Sequence, residues 1–312
     1  MEGVPMRDGY GQALLELCRL HEDVVVVDAD VAKSTRTEWI REKYPQKYIN
    51  MGISEQDLVG TAAGMSLAGM VPFVSTYGVF LAGRAWDQIR NTVCYNSLNV
   101  KLGGAHAGIS VGPDGGTHQA LEDVALMRVI PNMMVVVPCD YKETYKATMA
   151  VYDRQGPSYI RFGRSAVPVI TADETPFELG KAAVFRDGAD ATIFANGIMV
   201  YQSLKAAAVL EKEGISVQVV NVHTVKPLDA EMIAACAAKT QAVVVCEEHQ
   251  CIGGLGSAVC EVLAQCCCVP VELVGIKDRF GESGSPDALL KAYGLSDLDV
   301  IAAVQRVLRR KK

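Results

Sequence analysis

At 312 residues the chain exceeds the usual span of a single hydrophobic core, so two domains are the natural expectation. Half of it is hydrophobic but only 6% aromatic, and abundant alanine, valine and glycine suit helices packed closely on buried valine-rich strands, an α/β composition. A formal charge of −6 gives no reason to expect nucleic acid or an anionic membrane as partner, and Arg309-Arg310-Lys311-Lys312 reads as a solvated basic tail.

Val24 to Asp30 is an apolar run ending in polar residues, the form of a buried parallel strand whose C-terminal end opens on a site. In Gly52-Ile53-Ser54-Glu55-Gln56-Asp57, Ser54 starts a helix, with Asp57 to complete a capping box and Glu55 to favour the helix dipole. A second reading places Glu55, partly buried beside an uncharged stretch, as a proton donor. That stretch, Val59 to Gly83, has the length of a membrane span, but Gly60, Gly64, Gly69, Pro72 and Gly78 divide it. A buried helix, a turn at Ala68-Gly69, a buried strand and the start of another helix account for it.

Strand-like runs follow at Val71 to Thr76, Val100 to Gly103, Met133 to Pro138 and Ser158 to Phe162, with helical stretches near Phe80 to Tyr95, His118 to Val129 and Lys142 to Tyr152. Residues 1–165 thus form a first α/β domain, and the prolines, threonines and acids of 166–188 form a linker. A second α/β domain, 189–312, has mostly parallel strands at Ala191 to Ala195, Ser216 to Val222, Ala242 to Glu247 and Val271 to Val274. Its helices lie near Met199 to Glu213, Ala230 to Ala238, Leu255 to Ala264 and Pro286 to Ala292.

Two of the five histidines lie on one glycine-rich loop, His106 in Gly103-Gly104-Ala105-His106-Ala107-Gly108 and His118 in Asp114-Gly115-Gly116-Thr117-His118-Gln119. A long turn with exposed histidines is one reading and proton transfer or substrate binding the other; no zinc-like spacing accompanies them, so no metal site is expected. Gly253-Gly254-Leu255-Gly256 lacks the full Gly-x-Gly-x-x-Gly pattern and reads as a glycine-rich helix start, with dinucleotide binding as the rival; no P-loop occurs. The ten cysteines include Cys266-Cys267-Cys268, which forms no regular disulfide framework. No charged-then-apolar signal segment opens the chain, and the expected compartment is a reducing cytoplasm.

Taken together, Asp28-Ala29-Asp30, Gly52-Ile53-Ser54-Glu55-Gln56, Ser75-Thr76-Tyr77, Asp114-Gly115-Gly116-Thr117-His118-Gln119, Arg161-Phe162-Gly163-Arg164 and Glu247-Glu248-His249 with Gly253-Gly254-Leu255-Gly256 resemble the C-terminal half of transketolase as a separate subunit, over essentially the whole chain. The resemblance implies a pyrimidine-binding domain followed by a transketolase C-terminal domain, with thiamine diphosphate held at a subunit interface. Glu55 would hydrogen-bond the aminopyrimidine ring nitrogen and favour the imino tautomer, whose exocyclic nitrogen makes the ylide. Tyr77 and Phe80 would pack on the pyrimidine, with Gly83 replacing the family's third aromatic, and Asp30 would sit beside the cofactor. Core packing and an ordinary turn are the plainer readings of these three.

For the substrate, the resemblance places His106 and His118 at a reacting ketose and Asp114 at a sugar hydroxyl. Arg7, Ser34 and Arg164 go to a sugar phosphate, with Arg161 as a neighbouring candidate. Pro113 and Gly116 depart from the family's Glu before the aspartate and Pro before the threonine. The family's Gly-Asp-Gly followed by asparagine, which holds Mg2+ and diphosphate, does not occur, implying an N-terminal partner subunit that supplies both and a dimer of heterodimers. The implied function is two-carbon ketol transfer between sugar phosphates. The alternatives are the β subunit of a 2-oxoacid dehydrogenase, a fragment of a 1-deoxyxylulose-phosphate synthase, suggested by Ala85-Trp86-Asp87-Gln88, and a non-catalytic scaffold of the same fold.

Overall fold

In a computed structural model describing residues 3–311, two parallel-dominated sheets lie between helical layers. The chain opens with β1 (Gly3–Pro5), α1 (Met6–Leu20), β2 (Val24–Asp28), α2 (Ala32–Thr35), α3 (Glu38–Lys43) and β3 (Tyr48–Asn50). The uncharged stretch follows as α4 (Glu55–Leu67), β4 (Val71–Tyr77) and α5 (Gly78–Arg84), a helix, strand and helix as expected, and no described helix is long and apolar enough to cross a membrane. Then come β5 (Lys101–Ala105), α6 (Asp123–Arg128), β6 (Met134–Val136), α7 (Tyr141–Asp153), β7 (Ser158–Arg161) and β8 (Ala166–Pro168). The second half runs β9 (Ala183–Arg186), β10 (Ala191–Ala195), α8 (Met199–Lys212), β11 (Val217–Asn221), β12 (Thr224–Lys226), α9 (Ala230–Thr240), β13 (Val243–Gln250), α10 (Leu255–Cys266), β14 (Val271–Ile276), α11 (Pro286–Ala292) and α12 (Asp297–Arg310).

The first sheet has the order β12-β6-β7-β5-β4-β2-β3 and the second β14-β13-β10-β11-β9. All five residues of β2, β5, β10 and β11 are buried, which is why β2 and β10 read as near-continuous apolar runs rather than alternating ones, while β5 and β11 bury Lys101, Gln218 and Asn221 as well. Gly103 and Gly104 let β5 accept large neighbours: a Cβ on Gly104 would lie 2.2 Å from the Tyr159 hydroxyl oxygen, and one on Gly103 would lie 2.5 Å from that of Tyr10. One hydrophobic cluster joins α1 and α7 to α8 and α12, another joins α4 and α5 to α9 and α10, and each passes through both sheets.

Several expectations need correction. The helix placed over His118 to Val129 is only α6, because Gln119 Nε2 donates to the Ile109 and Glu282 carbonyls and Ala107 bridges to Ala120, which holds the preceding residues in a loop. Helicity over Phe80 to Tyr95 is split between α5 and a π-helical turn, Gln88–Cys94. The basic end is no free tail through Lys311: α12 lays Arg306 and Arg310 on Glu272 of edge strand β14, at 2.9 and 2.5 Å, while Lys312 lies outside the described residues. Residues 166–188 carry two strands, β8 pairing back onto β1 and β9 at the edge of the second sheet, and β12 joins the first sheet antiparallel to β6. The helices α1 and α12 went unread in the sequence. All ten cysteines are free thiols.

The two units are also joined by a buried acid. Glu143 accepts from the Cys139 amide and from Asn221 Nδ2 at the end of β11, both at 2.7 Å, and burial pushes its carboxyl up to about 7 against those two hydrogen bonds. The folded chain therefore keeps a proton that the unfolded chain has lost, so this contribution to stability is complete below the ordinary carboxyl range and disappears as pH rises through 7. A side-chain amide at this position fits the site if the Asn221 amide turns over, since Asn221 Oδ1 is buried without a partner. Glu143→Gln should narrow the difference in urea-unfolding free energy between about pH 5 and about pH 8.5 by about 1–3 kcal/mol. The same pH slope in both proteins would refute this account of Glu143.

Candidate active site

The C-terminal ends of parallel strands β2, β4 and β5 open on one edge of the first sheet, where α/β proteins place their ligands. Asp28, at the end of β2, is buried and accepts from the Val31 amide and the Thr35 and Thr37 hydroxyls at 2.7–3.0 Å, folding the next loop over itself. Asp30 is exposed in a left-handed turn (φ 64°), its Oδ1 taking a hydrogen bond from Asn50 Nδ2 at 2.9 Å. The loop brings Ser34 Oγ within 2.9 Å of the Tyr77 hydroxyl, and the Ser34 carbonyl accepts from Arg7 Nη1 at 3.3 Å.

Glu55 begins α4 and is 2% exposed. The expected capping box does not form: Ser54 donates its hydroxyl back to the Met51 carbonyl at 2.8 Å and makes no side-chain cap. Glu55 instead takes its charge partner from α5, with Arg84 Nη1 2.6 Å from Oε2. The Arg84 guanidinium lies 4.6 Å from the centre of the Phe80 ring. Phe80 and Tyr77 are 6.1 Å apart with their planes 27° from parallel; His106 stacks on Tyr77 at 4.5 Å, and His118 stands edge-on to Tyr77 at 5.9 Å and to Phe80 at 5.3 Å. Glu55, Arg84, Phe80, Tyr77 and the two histidines thus form one unbroken wall.

His106 is 2% exposed, sits at φ 52°, and has no hydrogen-bond partner on either ring nitrogen. Burial, then the charges of Arg7 and Arg164, lower its pKa to about 3, with only the Ser34 carbonyl opposing, so at neutral pH it is an uncharged imidazole. Half-buried His118 pairs Nδ1 with the Thr117 hydroxyl at 2.9 Å. Arg164 donates from Nη1 to Asp114 Oδ1 at 2.7 Å and to the Val111 carbonyl at 3.2 Å. Arg7 Nε is buried without a partner. Native interiors seldom leave such atoms unsatisfied, and here Arg7 Nε and both His106 nitrogens gather beside Ser34, a donor set suited to an anionic, hydroxylated ligand. Arg161 is turned inward instead: it is buried, with Nε on Asp123 at 2.9 Å and Nη2 on the Ala120 and Glu248 carbonyls.

The second unit shapes this loop. Glu248 Oε1 accepts from the Ser110 amide at 2.6 Å, and a Cβ on Gly116 would lie 2.6 Å from the Gly281 carbonyl oxygen, so Gly116 is required by a close approach. Glu247 accepts from the Leu255 and Gly256 amides at 2.7 and 2.8 Å. The chain's own carboxylate therefore occupies the start of α10, and the glycine-rich helix start stands while the dinucleotide reading falls. A cleft of about 1070 Å³, lined in part by Val79, Thr117, Gln119, Ile252 and Phe280, opens beside His118 between the two units. Among the described residues, no group of three or more His, Cys, Asp or Glu side chains is placed to hold a metal ion. Sequence reasoning missed Arg84, whose only signal was its position as the first charge after the uncharged stretch.

The family described as transketolase, pyrimidine binding domain, matches residues 2–169, and that described as transketolase, C-terminal domain, matches residues 180–300. A Methanocaldococcus jannaschii protein named for the C-terminal section of transketolase is 41% identical over 98% of this chain and 97% of its own length. A 6-deoxy-6-sulfo-D-fructose transketolase subunit of a Clostridium species is 40% identical over 98% and 95%. The solved structure of a split-gene transketolase, described as an inactive β4 tetramer, superposes with a TM-score of 0.91 at 47% identity, covering 99% of this chain and 100% of the other.

The lowered pKa of His106 has a measurable sign. The unfolded imidazole takes up a proton near 6.5 and the folded one only near 3, so stability falls as pH drops through that interval. In 15N-resolved spectra, the ring nitrogens identified by their loss in His106→Gln should show constant shifts from about pH 8 down to about pH 5. A titration midpoint above 5 would contradict the buried, uncharged assignment.

Proposed function

This chain belongs to the transketolase family, and we propose that it is the C-terminal subunit of a two-subunit, thiamine-diphosphate-dependent transketolase that moves a two-carbon ketol unit from a ketose phosphate to an aldose phosphate. In this reading residues 1–165 bind the pyrimidine, 166–188 link, and 189–312 form the transketolase C-terminal domain. The observation that carries it is the buried Glu55 carboxylate next to the Phe80–Tyr77 wall, which suits a flat ring carrying N–H donors. Bound thiamine diphosphate would supply the carbanion chemistry.

Glu55 would hold the pyrimidine ring nitrogen by a shared proton, and Tyr77 and Phe80 would pack on the ring and keep water from it. Asp30, exposed in the loop after β2, is assigned a place beside the cofactor. Uncharged His106 gives or takes a hydrogen bond at a substrate oxygen without repelling the neighbouring arginines, while His118 exchanges protons with a substrate hydroxyl. Arg7, Ser34 and Arg164 receive the phosphate, and Asp114, released from Arg164, meets a sugar hydroxyl.

The diphosphate and its Mg2+ or other divalent cation belong to an N-terminal partner subunit. Glycines 60, 64 and 83 face open space on the uncharged segment, a surface suited to close packing of another subunit in a dimer of heterodimers. The relative described as an inactive β4 tetramer supports a division in which this kind of subunit assembles without its partner but does not act. The cytoplasm is the compartment consistent with ten free thiols.

Co-purification with the product of the neighbouring reading frame, followed by addition of thiamine diphosphate, Mg2+ and donor sugars, should yield ketol transfer. Decarboxylation of a 2-oxoacid would point instead to a dehydrogenase β subunit, silence on both to a scaffold, and full activity of the isolated chain would end the two-subunit reading. In the assembled enzyme, Glu55→Gln should leave folding intact and slow deuterium exchange at the cofactor's reactive carbon by about 100-fold or more. Unchanged exchange would remove Glu55 from its role.

A further inference from the structure

Arg84 lies where the proposed coenzyme ring would have to go. Its guanidinium touches both Glu55 Oε2, at 2.6 Å, and the face of Phe80, at 4.6 Å, the two groups assigned above to the aminopyrimidine. We propose that Arg84 is a built-in placeholder for that ring, filling the slot between Glu55 and Phe80 in the unliganded subunit and leaving it when the coenzyme enters. The inference rests on the thiamine diphosphate reading and adds a residue that sets coenzyme affinity.

Three observations carry it. Glu55 is 2% exposed, and a buried carboxylate without a partner is costly, so an empty slot needs a cation. Guanidinium suits the task as a planar group: it presents N–H donors in its plane to a carboxylate and a flat face to an aromatic ring, as an aminopyrimidine does. The Arg84 side chain is itself 47% exposed, at the last turn of α5, beside Gly83, around which no atom stands within 4 Å of a would-be Cβ. It has a path into solvent that disturbs no core contact, whereas Glu55 has none.

The consequence is competition. Entry of the ring breaks a charge-assisted hydrogen bond that Arg84 already makes, and the Glu55 carboxylate exchanges that N–H donor for a hydrogen bond with the ring nitrogen through one proton taken up from solvent, so it is never left bare. A lysine would keep the charge but lose the planar stack, so it should hold the slot less firmly.

Isothermal titration of the assembled, cofactor-stripped two-subunit protein tests this, with thiamine diphosphate plus Mg2+ and separately with 4-amino-5-hydroxymethyl-2-methylpyrimidine as titrants. Arg84→Met should bind both about tenfold more tightly than the parent protein, with Arg84→Lys between them. In a Glu55→Gln background, where no carboxylate remains to be chelated, Arg84→Met should bring a much smaller gain, a non-additivity that a merely structural arginine would not produce. If the parent protein binds thiamine diphosphate while a folded Arg84→Met or Arg84→Lys variant binds it equally or more weakly, the placeholder is refuted and the coenzyme reading stands. If the parent protein binds neither titrant, both fall together.

Discussion

The placement of the histidine loop depends on one buried cation. Arg161, at the end of β7, grips Asp123 with its Nε and the Ala120 and Glu248 carbonyls with Nη2, so one guanidinium ties the end of the loop, the start of α6 and strand β13 of the second unit together. Tyr159 adds its hydroxyl to Asp123 at 2.7 Å, and Glu248 in turn receives the Ser110 amide. Truncating one member of such a network leaves a charge buried without its partner, at a cost of about 3–5 kcal/mol. The second α/β unit, though it contributes none of the wall from Glu55 to His106, holds that wall's loop in register.

Beside this satisfied network stands a group of polar atoms left unsatisfied. His106 makes no well-formed hydrogen bond from either ring nitrogen, and Arg7 keeps Nε without a partner. Each such atom costs stability in the free chain, a cost that the proposed ligand oxygens would offset. The same logic separates three acids of this edge: Asp28 is consumed by three donors from its own loop, Asp30 is exposed and lightly held, and Glu55, at the start of α4, is paired with the half-exposed Arg84.

Much of the fold was legible because burial on both faces makes a parallel strand an apolar run. The strands at Val24, Val71, Ala191 and Val271 begin where their valines or alanines do, and the turn at Ala68-Gly69 falls between α4 and β4 as read, although Gly60 and Gly64 lie inside α4 and Pro72 inside β4. The amphipathic helix α1 was missed because Gly9 and Gly11 weaken its pattern; Gly9 is there for packing, since a Cβ on it would meet the Tyr141 carbonyl oxygen at 2.2 Å. Ser54 and Asp57 had the spacing of a capping box, yet the bond from Ser54 to Met51 won, as competition between local hydrogen bonds allows.

The sequence by itself determined the alternation of strands and helices, which follows from local periodicity and residue type, and, through its resemblance to known motifs, the family and the segments that hold the acid, the aromatics and the two histidines. Only the tertiary structure decided which arginine serves which partner: Arg161 is locked inside, Arg164 meets Asp114, and Arg84 lies across Glu55 and Phe80. It also decided that Glu247 closes the glycine-rich start of α10 and that β12 crosses into the first sheet. Charge pairing and sheet edges join residues from distant parts of the chain, and spacing along a polypeptide carries no record of which ends will meet.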